Sequence, residues 1–310
     1  MKPITDPVYL SILGRGPKQI PHWEHWSNPD AETYLSGVDY YEEPRRCREV
    51  LRERYPQLRL PIPESNDPKP RPKLDLSGES SDQERHTVRW GDGESWTWEH
   101  NSVQVKTVED VLNFSPLQVA DFTRIPVVES QDYSSEEIIY NRYLSMLQAA
   151  HPGEDLNELT LSVGFYNTMF MWPLLTFGWE LFMQSSLEPR FERVMDEFAE
   201  INRRVFRAFA RLPIKYVVCH DDIVMTRGPV CSPKWMHKYI FPRYEEFWGM
   251  LKAAGKSVIF MTDGCIDQYV DDVMACGACG FCTEPYTNFK AIARRYKDVF
   301  LAGEGDNRIL

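Results

Sequence analysis

From residue 159 onward the chain alternates between short apolar runs and longer stretches of helical periodicity, and this rhythm narrows the fold more than any other feature. Residues 159–165, 215–219, 256–261, 279–283 and 299–302 have strand length and strand composition. The first is followed by a helix opening at Glu188-Pro189, with Phe191, Val194, Phe198, Ile201, Val205 and Phe209 spaced along one face. After the second comes a helix started by Ser232-Pro233, interrupted at Pro242 and closed by Gly255. A stripe of Ile266, Tyr269, Val270 and Val273 ending at Gly277 follows the third, and another helix begins near Thr287. Short strands buried on both faces and separated by helices imply a parallel sheet.

Five such strands, with 122–128 as a candidate earlier one, fit a (β/α)8 barrel of about 250 residues carrying an N-terminal elaboration. The expected division is 1–120 for the elaboration and 121–310 for the barrel. A doubly wound open sheet is the alternative, but neither G-x-G-x-x-G nor G-x-x-x-x-G-K-[ST] occurs, so nucleotide cradling lacks support. Within the elaboration, six prolines between 56 and 72 and the polar run 77–85 predict a loop. Val88 and Trp90, the turn Asp92-Gly93, then Trp96 and Trp98 predict a hairpin over 86–101. Ser134 and Glu137 have capping-box spacing ahead of a helix with the stripe Ile139, Tyr143, Leu147 and Ala150.

Lys and Arg total 35 against 46 Asp and Glu, a net charge of −11 that argues against nucleic acid or an anionic membrane as the principal partner. The most apolar stretch, 169–183, is broken by Pro173, Gly178 and Glu180, short of the roughly 20 apolar residues a spanning helix needs. Residues 1–13 lack the layout of a secretory signal. Seven cysteines, four of them between 265 and 282, do not form a disulfide framework, so a cytoplasmic protein is expected.

Functional groups of a parallel barrel sit where strands end. Those positions read Phe165-Tyr166-Asn167, His220-Asp221-Asp222, Thr262-Asp263-Gly264-Cys265, Cys282-Thr283-Glu284 and Glu304-Gly305-Asp306. Clustered carboxylates repel, so at least one should hold a proton and serve as a general acid. Asp222 and Asp263 could equally cap the segments that follow. Cys276-x-x-Cys279-x-x-Cys282 has iron–sulfur spacing, but position 286 is tyrosine, and Cys279 and Cys282 should face opposite sides of a strand. Cys282, nearest the rim, is kept as a candidate ligand or reactive thiol.

These residues resemble the uroporphyrinogen decarboxylase superfamily. The resemblance runs from Ile20-Pro21-His22-Trp23-Glu24 through 164–181, His220-Asp221-Asp222, Arg227-Gly228-Pro229, Ser232-Pro233, Pro242-Arg243-Tyr244, 255–264, Gly277 to Glu284-Pro285, and Ala302 to Asp306. It is nearer to the corrinoid-dependent methyltransferase branch. It implies a (β/α)8 barrel, a small methylated substrate, and a corrinoid (cobalamin) held by a carrier protein. Asp263 or His220 would then protonate the leaving heteroatom, Asp222 and Glu284 would orient the substrate, and Tyr166, Asn167, Asp221 and Cys282 would line its site. Three departures qualify the resemblance. Gly14-Arg15-Gly16-Pro17-Lys18 is not the arginine motif that grips porphyrinogen carboxylates. Met261-Thr262-Asp263 stands where thiol-methylating members carry a zinc-binding His-x-Cys pair, so zinc is not expected. The family's last strand lies beyond the point where this chain stops, so the barrel is expected to lack it. Decarboxylation of another carboxylated substrate, and a catalytically silent binding barrel, are the alternatives.

Overall fold

The computed structural model describes residues 6–15, 28–55, 62–71, 76–81, 85–90, 95–99, 105–119, 131–166 and 168–303. Contacts divide the chain into a smaller unit, residues 15–82 and 86–98, and a larger one, residues 1–14, 83–85 and 99–310.

In the smaller unit, helices Pro29–Ser36 and Pro44–Arg54 pack together, each with proline in its first turn, where a missing N–H is tolerated. Tyr40, Tyr41, Cys47 and Leu51 form the buried cluster beneath them. Glu32 is fully buried and accepts two hydrogen bonds from Arg48, at 2.7 and 3.0 Å. Residues 62–71 of the proline-rich stretch run beside these helices without regular structure, fixed by Lys69 N–H donating to the Tyr41 carbonyl and by an Arg71–Asp39 ion pair. Strands Arg85–Trp90 and Ser95–Glu99 are sheet neighbours where the sequence predicts a hairpin; its turn lies outside the described residues. A correction applies just upstream. Leu76–Ser81, expected as polar loop, is a strand paired antiparallel with Arg85–Trp90. Ladder bonds use backbone groups, which a polar sequence supplies as well as an apolar one.

The larger unit is a mixed α/β structure. Its strands β1 (Ser162–Phe165), β2 (Tyr216–His220), β3 (Ser257–Thr262), β4 (Gly280–Thr283) and β5 (Phe300–Gly303) form one parallel sheet in the order β5-β4-β3-β2-β1. Strand order follows chain order without reversal, so the described strands contain no switch point of the doubly wound kind. Helix α1 (Glu136–Ala150) precedes β1, and α2 (Phe191–Arg211) joins β1 to β2. Helix Pro233–Tyr239 and then α3 (Phe241–Ala253) lead to β3, α4 (Val270–Cys276) to β4, and α5 (Phe289–Arg295) to β5. Helices α1, α2, α3 and α4 pack neighbour on neighbour in chain order, in step with the strands. Right-handed crossovers that all advance in one direction place their helices on one face of the sheet. Closure of the sheet into a ring is not seen among the described residues, and the candidate strand 122–128 lies outside them.

Strand alternation decides which side chains meet the helices. Val217 and Cys219, Val258 and Phe260, and Phe281 are fully buried on that side. Phe260 packs against Tyr244 and Trp248 of α3, and Phe165 against Phe206 and Phe209 of α2. All six residues of the α2 stripe are fully buried, each worth about 1.5–3 kcal/mol relative to exposure. Local signals fix the helix ends. Ser232 accepts from Trp235 N–H, the helix breaks at Ile240 ahead of Pro242, and Gly255 (φ 72°) follows α3. One cap differs from expectation: Ser135, not Ser134, accepts from Ile138 N–H at the start of α1. Ser134 N–H, which a box with Glu137 would need, donates instead to Asp132 Oδ1 at 2.8 Å, and Glu136 and Glu137 both accept from Arg211.

Candidate functional site

The parity that buries Cys219 and Phe260 against the helices turns their neighbours to the other face. There His220, Met261, Cys282 and Ala302 lie side by side in register across β2, β3, β4 and β5. Two residues beyond the first three stand Asp222, Asp263 and Glu284. At the opposite end of this face, Tyr9 of helix Pro7–Ile12 stacks on Tyr216.

His220 Nε2 lies 3.0 Å from Asp222 Oδ1, and Asp263 N–H donates to that same oxygen at 2.9 Å. Tyr166, just past β1, donates its hydroxyl to Asp222 Oδ2 at 3.4 Å and meets the imidazole edge-to-face at 4.1 Å. One donor atom from each of His220, Asp222 and Asp263 falls within 4.8 Å of the others, a spacing at which three side chains can share an ion. Glu284 accepts from Gly264 N–H at 2.8 Å.

Gly264 is required at its position. Its φ is +81°, and an added Cβ would lie 2.6 Å from the backbone carbon of Met225. Met225 belongs to a short ribbon, Val224–Met225 paired with Gly228–Pro229, whose carbonyl also receives Cys265 N–H. The buried hydroxyls of Thr283 and Thr287 donate to the Gly264 carbonyl at 3.3 and 3.2 Å. The loop carrying Asp263 is thereby held from both sides.

Charge is unevenly shared. Burial alone would raise the Asp222 carboxyl, but the His220 hydrogen bond and charge, Asp263 N–H and the Tyr166 hydroxyl together bring it below the usual range. Asp263 keeps solvent contact, yet partial loss of hydration, then the charges of Asp222 and Glu284, push it upward. Burial, then the charges of Asp222 and Asp263, raise Tyr166, and burial followed by the charge of Asp263 lifts the Cys282 thiol to about 11. Among the described residues, the rim acids Asp222, Asp263 and Glu284 make no ion pair with lysine or arginine, and His220 is the partner of Asp222.

The structure therefore gathers His220, Asp222, Asp263 and Tyr166, with Glu284 one hydrogen bond behind the Asp263 loop and Cys282 beneath it in the strand. Asn167 and residues 304–306 lie outside the described residues. Asp221 is a correction. Expected at the substrate, it is fully buried, accepting from Met169, Phe170 and Met171 N–H at 2.7 Å each and from the Tyr244 hydroxyl at 2.6 Å. Burial raises its carboxyl, against these four donors. It braces the start of helix Met171–Phe177 against the end of β2. Its parity, shared with Val217 and Cys219, is the sequence signal for this inward turn. Thr283 and Thr287 carry no comparable signal.

Cys276 donates to the Phe241 carbonyl and Cys279 to the Val258 carbonyl, so each thiol is turned to its own backbone partner. A thiolate zinc site does not fit this rim, because a thioether, Met261, occupies the register position between His220 and Cys282. Comparison with models of known protein families finds no match to this chain, and none is found among curated proteins.

Proposed function

We propose that the chain is an enzyme that moves a methyl group from a small methylated compound to a corrinoid held by a carrier protein, and that its sheet is part of a (β/α)8 barrel. The observation that carries this reading is the convergence of one imidazole and two carboxylates at the carboxyl ends of adjacent parallel strands, on the face turned away from the helices. The sequential strand order is that of consecutive barrel strands, and resemblance to the uroporphyrinogen decarboxylase superfamily supplies the reaction class. Seven free thiols suit a reducing cytoplasm.

In the transfer, the nucleophile's electron pair forms a bond to the methyl carbon while the bond from methyl to heteroatom breaks, its pair remaining on the heteroatom. A reduced corrinoid supplies that nucleophile when bound. The chain's own residues act at the heteroatom, where an electrophile must balance the charge that develops. The His220–Asp222–Asp263 cluster supplies it. Asp222 orients the imidazole, the Tyr166 ring fixes its plane, and Glu284 holds the loop that presents Asp263. Gly164 on β1 is exposed, with nothing within 4 Å of where a Cβ would stand, which leaves open space beside Tyr166 for approach. A polycarboxylate would meet uncompensated negative charge here, which disfavours the decarboxylase alternative.

The test is anaerobic spectroscopy of reduced corrinoid mixed with the protein and, in turn, methyl ethers, methyl thioethers and methylamines. Loss of the reduced-cobalt absorption that needs both protein and donor is the expected result. Absence of any protein-dependent change, with free and carrier-bound corrinoid alike, would overturn the proposal.

A further inference from the structure

We infer that His220, Asp222 and Asp263 bind a single first-row divalent cation, of the manganese, iron or zinc type, through one imidazole nitrogen and two carboxylate oxygens. This inference rests on reading the rim as the reactive centre, and it names the electrophile used there.

Ligand spacing is the first ground. Two ligands about 2.1 Å from one ion are about 3 Å apart when adjacent and about 4.2 Å apart when opposite. His220 Nε2 and Asp222 Oδ1 stand 3.0 Å apart, the spacing of adjacent ligands, so an ion would replace the hydrogen between them after a turn of the imidazole. Asp263 completes a set whose members lie within 4.8 Å, and a closure of about half an ångström by this solvent-facing side chain brings its oxygen into range.

Donor identity and outer contacts are the second ground. The set is not a patch of surface acids. It joins a nitrogen donor from the end of β2 to carboxylates from two different loops, the mixed type that suits imidazole- and carboxylate-binding metals rather than sulfur-loving ones. Asp222 is oriented by two outer contacts, Asp263 N–H at 2.9 Å and the Tyr166 hydroxyl at 3.4 Å, as ligating carboxylates usually are. Three protein ligands leave coordination positions open for water or a substrate heteroatom, as in catalytic rather than structural sites.

Charge is the third. Asp222, Asp263 and Glu284 gather at one rim without a lysine or arginine paired to them among the described residues. A dication offsets that repulsion directly. It also gives the heteroatom a Lewis acid, so no donated proton is needed to stabilise the departing pair.

The experiment uses the whole chain, stripped with a chelator and titrated with Mn(II). Loss of the free-ion paramagnetic resonance signal reports binding, and calorimetry with Zn(II) provides a second readout independent of turnover. One ion per chain is expected, with affinity falling at least about tenfold in Asp222→Ala and in Asp263→Ala, and weakening as pH drops and ligands protonate. Asp263→Asn keeps the side chain's shape and serves where the alanine variant does not fold, with near-ultraviolet circular dichroism as the check. Absence of stoichiometric binding, or binding unchanged in Asp222→Ala and Asp263→Asn, overturns the inference. If no ion binds while corrinoid-dependent methyl transfer is found, the function stands and the cation falls. Binding without any methyl transfer leaves the cation site and removes the function.

Discussion

Replacing Asp221 with asparagine keeps the side chain's shape while exchanging one acceptor oxygen for an NH2 donor. Oδ2 of Asp221 accepts from Met169 N–H, Phe170 N–H and the Tyr244 hydroxyl, and Oδ1 accepts from Met171 N–H. Whichever way the amide turns, donor faces donor: Met171 N–H alone in the better orientation, Met169 N–H and Phe170 N–H in the worse, where the Tyr244 hydroxyl can turn to accept. A buried donor left without an acceptor costs about 1–3 kcal/mol. The surviving bonds lose their charge assistance, worth roughly half of each. Removing the charge also removes the cost of burying it, so the net loss should be about 3 kcal/mol rather than the sum of four bonds. Urea unfolding followed by tryptophan fluorescence reads this directly, since Trp172 and Trp248 are fully buried in the same unit. At a slope near 3 kcal/mol per molar, the midpoint should fall by about 1 M with the slope unchanged. An unmoved midpoint would refute the reasoning, because it would mean that Asp221 sits in the fold as a neutral acid whose contacts an amide can reproduce.

Three further outcomes are expected. Glu32→Ala removes the buried carboxylate that accepts two hydrogen bonds from Arg48 and should cost about 1.5–3 kcal/mol, seen as lost amide-exchange protection in helices Pro29–Ser36 and Pro44–Arg54. Unchanged protection there would show the pair to be dispensable. Gly264→Ala combines a left-handed backbone with a 2.6 Å contact to Met225 and should cost at least about 2 kcal/mol, read as a lowered thermal midpoint. Burial lifts the thiols of Cys231 and Cys279 to about 11 and of Cys276 to about 12, whereas unfolded thiols ionise near about 8.5. Between these limits the unfolded chain binds fewer protons than the folded one, so stability should fall as pH rises from about 9 to about 11. Cys276→Ala should flatten that slope, and an equal slope in the variant would remove this thiol from the account.

What the sequence discloses here depends on how local each signal is. The α2 stripe, the Ser232 cap and the glycine after α3 are set within a few residues, and all three appear where the pattern places them. The strand Leu76–Ser81 is illegible because its pairing is made by backbone groups of a segment several residues away, and nothing in Ser or Glu announces it. The cap falls one residue later than Ser134, where Ser135 accepts from Ile138 N–H while Ser134 N–H is taken by Asp132, a choice between neighbouring serines that spacing alone does not make. Strand-end reasoning finds His220, Asp222 and Asp263 one at a time. That the three converge follows from the register between β2 and β3, which pairs His220 with Met261. The hydroxyl clamp of Thr283 and Thr287 on Gly264 has no sequence precursor at all.

Adjacent aspartates at the end of β2 divide two incompatible tasks, and register is what assigns them. Asp221 N–H donates to the Met261 carbonyl at 3.0 Å, carrying the β2–β3 ladder one residue beyond the strand. That bond fixes alternate faces for the next two side chains, Asp221 toward the helices and Asp222 toward the rim. A slip of one residue would exchange them, leaving the rim carboxylate without the Asp263 N–H that orients it and burying one without its four donors. The brace therefore discriminates against the slipped register: three backbone N–H groups of 169–171 and the Tyr244 hydroxyl are satisfied by the carboxylate at position 221 pointing inward. Once it does, His220 and Asp222 have no choice of face. The geometry of the rim is in this sense a consequence of the core, and a substitution that loosens Asp221 should displace His220 and Asp222 even though its own side chain is turned away from them.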